Sequence, residues 1–390
     1  MSLKNLVAIS RKYGADPDYV IAGGGNTSYK DEKTLYIKGS GTSLASIGAE
    51  DFVRMDRSSL RTIWQKQYPP DVATREQFVL QDLMAARFAG EEQKRPSVET
   101  MLHDLLPFAY VVHTHPALVN GLTCSRKGVA AVQDLFGADA LWIPITNPGY
   151  ILALRVQKAL EEYKGHYKKP AQVVFLQNHG VFVAADSPEA IDGLYKKISG
   201  IISQRITRVP DLKPIQTEYG PSKAIAEFLL ELQIPSGKDT TWAIPKFVHF
   251  RRDKELAYRT QGRTAFEPLL LPFTPDHIVY AGSNPLFLDL QLSEPSVLTN
   301  EIKQHMASQW KSHLETFNRV PKIVAVSKLG IFGFGTTKRA AELATELMAD
   351  AAKVACYTES FGGPRPMEQE FIDFINNWEV EQYRSKISTK

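Results

Sequence analysis

Phe108-Ala109-Tyr110-Val111-Val112-His113-Thr114-His115 is an apolar run that closes on an H-T-H triplet. The run reads as a strand, and residues i and i+2 of a strand point to the same face. His113 and His115 therefore stand side by side. Downstream, Val173-Val174-Phe175-Leu176 leads into Gln177-Asn178-His179-Gly180, which places a third imidazole at the end of a second strand. Upstream, Ser97-Val98-Glu99-Thr100-Met101-Leu102-His103 offers a carboxylate at a helix start. Three neutral imidazoles and one carboxylate suit zinc, or a similar divalent ion, with a position open for substrate. A lone histidine is more often a hydrogen-bonded structural residue than a ligand. The case rests on H-x-H, N-H-G and S-x-E together, each at an element end. His103 lies one helical turn after Glu99, on the same face, and reads as a supporting or packing residue. His166, His249, His277 and His305 lack such a context and read as structural.

The chain has 390 residues, which favours two domains. Its 43% hydrophobic and 23% charged residues describe a globular protein, and a net charge of +3 gives no reason to expect a nucleic-acid or membrane partner. Cys124 and Cys356 are the only cysteines, so a disulfide framework is excluded and a reducing compartment is the simpler reading. The first residues lack a signal-peptide apolar region, and no stretch has the length of a transmembrane helix. A cytoplasmic location is expected.

The start reads as a helix, a strand and then a glycine turn, Ala22-Gly23-Gly24-Gly25-Asn26-Thr27-Ser28; Leu35-Tyr36-Ile37-Lys38 is a short strand ending at Gly39-Ser40-Gly41-Thr42. Such turns expose backbone N–H groups that bind phosphate oxygens, although ordinary tight turns look the same. Helices are expected over 74–89, from Glu99 to about Leu106, from Ile151 to about Tyr163, and after Ser187-Pro188, where serine caps and proline opens the helix. Residues 206–240 are rich in proline, glycine and polar groups, with one helical patch, and read as a junction. Beyond it the first half is echoed: Pro321-Lys322-Ile323-Val324-Ala325-Val326-Ser327-Lys328-Leu329-Gly330-Ile331-Phe332 resembles 171–182, and Ser283-Asn284-Pro285 resembles Thr146-Asn147-Pro148. Leu329 stands where the first copy has His179, so the second copy cannot offer the same metal site. Gly333-Phe334-Gly335 suggests a dinucleotide loop, but Lys338 occupies the third small position and argues against NAD. Cys124 reads as a packed thiol, and Trp378 to Arg384 as a C-terminal helix.

Gly25-Asn26-Thr27-Ser28, Gly39-Ser40-Gly41, Ser97-Val98-Glu99 with His103, His113-Thr114-His115 and Asn178-His179-Gly180 together resemble the class II aldolase/adducin superfamily, in its order and over about 200 residues. Phe273-Thr274-Pro275-Asp276-His277, Phe361-Gly362-Gly363 and Trp378-Glu379-Val380-Glu381 with Tyr383-Arg384 resemble the aldolase portion of bifunctional rhamnulose-1-phosphate aldolase/alcohol dehydrogenases; no dehydrogenase activity is expected of these residues. The resemblance implies a three-layer α/β/α fold with a largely antiparallel central sheet over 1–205, a linker at 206–240, and a degenerate aldolase-like half over 241–390 without metal ligands. It implies Zn2+ on His113, His115 and His179, with Glu99 both a resting ligand and the catalytic acid/base. Asn26, Ser40, Gly41 and Ser97 would hold the substrate phosphate. The implied reaction is cleavage of a rhamnulose-1-phosphate-like ketose 1-phosphate to dihydroxyacetone phosphate and an aldehyde, by a homo-oligomer. Relatives often carry a second serine where Val98 stands, so one phosphate contact is missing. A sugar-phosphate epimerase would share the site. A cupin-type oxygenase would have its glutamate after the H-x-H, and an adducin-like binding module should lack the histidines.

Overall fold

The computed structural model describes residues 3–216, 220–232, 244–290 and 298–378. Among them are two sheets. The first contains β1 (Asn26–Lys30), β2 (Thr34–Lys38), β3 (Phe52–Asp56), β4 (Tyr110–Thr114), β5 (Leu141–Ile143), β6 (Val173–Leu176) and β7 (Gly180–Ala185), in the order β3-β2-β1-β4-β7-β6-β5. Every neighbouring pair is antiparallel except β5 and β6. The central strands β4, β6 and β7 are short and buried on both faces because helices cover both. Tyr110 and Val112 point into a core shared with helices Leu3–Gly14 and Pro188–Ser203; Val111, between them, points into the opposite core with helices Val72–Ala85 and Tyr150–Tyr167. Alternation along one strand thus builds a three-layer α/β/α unit.

The second sheet holds β8 (Phe247–Arg251), β9 (Leu286–Leu288), β10 (Ile323–Val326) and β11 (Gly330–Gly335), in the order β8-β11-β10-β9. Its pairing repeats β4-β7-β6-β5: the β9–β10 pair is parallel and the others antiparallel. The echo extends to the helices. Tyr150–Tyr167 and Asn300–Phe317 each end on a left-handed residue, Lys168 and Asn318. Ser187 and Thr337 each cap the next helix by accepting the backbone N–H of Ala190 or Ala340, worth about 1 kcal/mol apiece. The second half is therefore a degenerate copy of the first.

Gly333 and Gly335 lie inside β11, and a Cβ on either would come within 2.6 Å of helix Lys338–Thr358. They are there to let that helix lie close on the sheet, which accounts for the glycine pair without a nucleotide. The same helix, buried along most of its length, also meets the first half. A Cβ on Gly121 would sit 2.2 Å from the Cβ of Tyr357. The two halves are thus packed backbone to backbone.

One local expectation changes, one holds and one is left untested. Asn26-Thr27-Ser28 is the start of β1, because pairing with β4 overrides its polar, turn-like composition. The helix Gly220–Leu232, within the 206–240 stretch, buries Ile225 and Leu229 against the second sheet. Among the described residues the last helix is Gln369–Asn377; of the helix expected from Trp378 to Arg384, residues 379–384 lie outside the described residues.

Candidate metal centre

The sheet register brings the site together. Asn26 of β1 lies opposite His113 of β4, and His113 lies opposite Phe182 of β7. The His113 ring stacks on Phe182 with centroids 4.0 Å apart, while its Nδ1–H donates to the Val181 carbonyl at 3.0 Å. A carbonyl only accepts, so the neutral ring carries its lone pair on Nε2. His115, just past the strand, donates from Nδ1 to the Asp276 carboxylate at 2.6 Å, which again leaves Nε2 bare. His179 sits in the β6–β7 turn after Asn178, which adopts a left-handed φ of 56°. Burial pulls the His179 pKa down to about 3 against the pull of Glu99, and its His113 and His115 neighbours lower it further.

The three imidazoles converge. His113 Nε2 is 2.9 Å from His115 Nε2 and 3.4 Å from His179 Nε2. Glu99 Oε1 lies 3.5 Å from His113 Nε2 and 3.6 Å from His179 Nε2, and has no hydrogen-bond donor among the described residues. Ligands around a tetrahedral zinc at ~2.0–2.1 Å would be about 3.3 Å apart. Two facing lone pairs at 2.9 Å repel, and a buried carboxylate oxygen without a donor is costly. One cation between these atoms removes both penalties. The residues therefore fit a divalent metal.

The other carboxylate oxygen starts a chain of hydrogen bonds whose direction follows from chemistry. Glu99 Oε2 can only accept, so Asn26 Nδ2 donates to it at 2.6 Å. Asn26 Oδ1 then accepts from His103 Nε2–H, and His103 Nδ1 accepts from the Ser28 hydroxyl at 2.7 Å. This fixes His103 as a neutral ring. Burial, with His113 and Lys30 nearby, also holds its pKa well below 6.5.

A small cleft opens beside Glu99 and His179. Ser40, Gly41 and Ser97 line it, as does Asn26, whose amide is already engaged by Glu99 and His103. Val98 lines it too and brings no hydroxyl. Lys38, at the end of β2, is a buried cation on the same wall, with Nζ 3.4 Å from the Gly23 carbonyl. Sequence reasoning took it only as a strand end. Asp276 was also missed as a site residue. Tyr150, the first residue of helix Tyr150–Tyr167, packs edge-on against Tyr68 in the apolar core and does not line the cleft. Cys124 is fully buried, with its pKa raised to about 12 by burial, as suits a packed thiol.

Residues 4–194 match the Class II Aldolase and Adducin N-terminal domain, and residues 245–384 match the family described as Aldolase class II, second domain. The chain belongs to the class II aldolase and adducin family. It is 21% identical to the "Uncharacterized oxidoreductase YuxG" of Bacillus subtilis, over 98% of this chain and 58% of that protein. It thus spans under two thirds of that relative's length. Among solved structures, the N-terminal class II aldolase domain of a conserved Thermoplasma acidophilum protein is 24% identical, covers 52% of this chain and 93% of its own, and superposes with a TM-score of 0.44. The L-fuculose-1-phosphate aldolase of Thermus thermophilus is 19% identical, covers 51% and 92%, and gives 0.33. No helix among the described residues is long and apolar enough to cross a membrane.

Proposed function

We propose that this class II aldolase-family chain is a zinc-dependent aldolase. Its substrate is a ketose 1-phosphate of the rhamnulose-1-phosphate kind, cleaved to dihydroxyacetone phosphate and an aldehyde. The supporting observation is the convergence of His113, His115 and His179 on one point, faced by the undonated Oε1 of Glu99. A divalent ion there supplies Lewis acidity that offsets negative charge developing at the substrate carbonyl.

Glu99 exchanges the proton at the carbon next to that carbonyl. In the cleavage direction the hydroxyl on the carbon that becomes the aldehyde gives its proton to a second base, the carbon–carbon bond breaks, its electron pair enters the ketone side, and protonated Glu99 delivers its proton to the carbon left behind. Asn26 holds Oε2, so Oε1 is the oxygen that faces the reacting atoms. Ser40, the Gly41 backbone, Ser97 and the Lys38 ammonium bind the phosphate in the cleft and fix the carbonyl near the imidazoles. Residues 1–205 carry this chemistry, 206–240 join the halves, and 241–390 support it without metal ligands of their own. A cytoplasmic homo-oligomer is part of the same reading.

The test is a panel of ketose 1-phosphates, assayed for dihydroxyacetone phosphate release before and after chelation and zinc restoration. Release that needs zinc supports the aldolase. Interconversion of epimers without triose phosphate would make the enzyme an epimerase.

A further inference from the structure

One ligand of the triad is held from outside its own half. Asp276 lies in the second half, 161 residues from His115, and its buried carboxylate accepts the His115 Nδ1 proton at 2.6 Å. The segment that presents it is anchored on both sides. His277 Nε2 is 3.2 Å from the Asp350 carboxylate, and its Nδ1 is 3.2 Å from the Thr274 hydroxyl. The Phe273 carbonyl accepts from Asn178 Nδ2 at 3.0 Å, so the same segment also touches the turn that carries His179. A third observation comes from the glycine run. A Cβ on Gly24 would meet Asp276 Oδ2 at 2.6 Å. Residue 24 must lack a side chain for the carboxylate to reach the imidazole.

We propose that Asp276 is a positioning residue of the metal centre, supplied by the second half, and that Gly24 makes the room it needs. The inference rests on the metal reading above. A carboxylate on Nδ1–H fixes the tautomer with its lone pair on Nε2, locks the ring orientation, and makes Nε2 a stronger donor; loss of such a partner typically weakens metal binding about 10–100-fold. The degenerate half, which has lost the position of His179, thereby remains part of the centre. Its role is to hold His115 and the His179 turn in place.

Zinc affinity of the full chain, measured by competition with a chromophoric chelator, tests this alongside circular dichroism and melting. Asp276→Ala should keep the fold and bind zinc about 10–100-fold more weakly, with Asp276→Asn between it and the native chain. Gly24→Ala should weaken zinc in the native background and have little further effect in the Asp276→Ala background, because both changes break one contact. Native-like affinity in Asp276→Ala overturns the proposal, as does additive loss in the double variant. If Asp276→Ala does not fold, the nearly isosteric Asp276→Asn decides by the same measure. A native chain that binds no zinc removes the metal reading itself, and this proposal with it. Tight native binding unchanged by the variants removes the proposal alone.

Discussion

The Asn26 amide holds Glu99 by one carboxylate oxygen, at 2.6 Å, and leaves the other turned toward the histidines without a donor. That asymmetry divides the carboxylate into an anchored atom and a working atom. An ordinary buried structural carboxylate would have both oxygens satisfied.

Glu99→Gln keeps the shape of the side chain and can still accept from Asn26, so the protein should fold and retain zinc. It cannot carry the proton. Turnover should fall about 10²–10⁴-fold, the range for a lost general acid/base. Steady-state kinetics on the zinc-loaded variant check this, and near-native kcat would mean that another group moves the proton.

Lys38 is a buried cation on the wall of the cleft, beside Ser40 and Ser97. Lys38→Met removes the charge and keeps most of the bulk. KM for a phosphorylated ketose should rise about tenfold or more, while cleavage of the unphosphorylated sugar changes little. Equal losses on both substrates would show that Lys38 supports the fold rather than the phosphate.

His313 is buried in helix Asn300–Phe317 against Phe317, its Nε2 has no partner among the described residues, and burial lowers its pKa from 6.5 to about 4. The unfolded chain takes up this proton below about pH 6.5, whereas the native ring resists until about pH 4. Stability is therefore full above that window and declines as pH falls through it. His313→Leu should lose part of this decline. Melting temperatures at pH 7 and pH 5 give the comparison: the drop should be smaller in the variant, and an equal drop would mean that His313 is not titrating in this way.

The convergence of His113, His115 and His179 is legible in the sequence because they sit at strand ends, where a period of two and a short turn fix their direction. The second sheet was legible through the Val173–Leu176 and Ile323–Val326 echo, which preserves strand pattern while replacing His179 by Leu329. The start of β1 was not, because Asn26-Thr27-Ser28 is polar and follows three glycines; only pairing with β4 makes it a strand. Asp276 carries no role in the sequence alone, since no local pattern says that it crosses 161 residues to reach His115. Gly24 looked like turn chemistry, whereas its missing Cβ is space for that carboxylate. Asn26 reads as a phosphate contact; it lines the cleft, and its amide also engages Glu99 and His103, which no local pattern foretells. Long-range packing supplies what local periodicity cannot.

The most direct test is the zinc content of the purified, zinc-equilibrated chain, set against His113→Ala and His179→Ala treated alike. The account predicts about one zinc per native chain and essentially none in either variant, with triose phosphate release lost in parallel. Stoichiometric zinc in both folded variants, or none in the native chain, would contradict it.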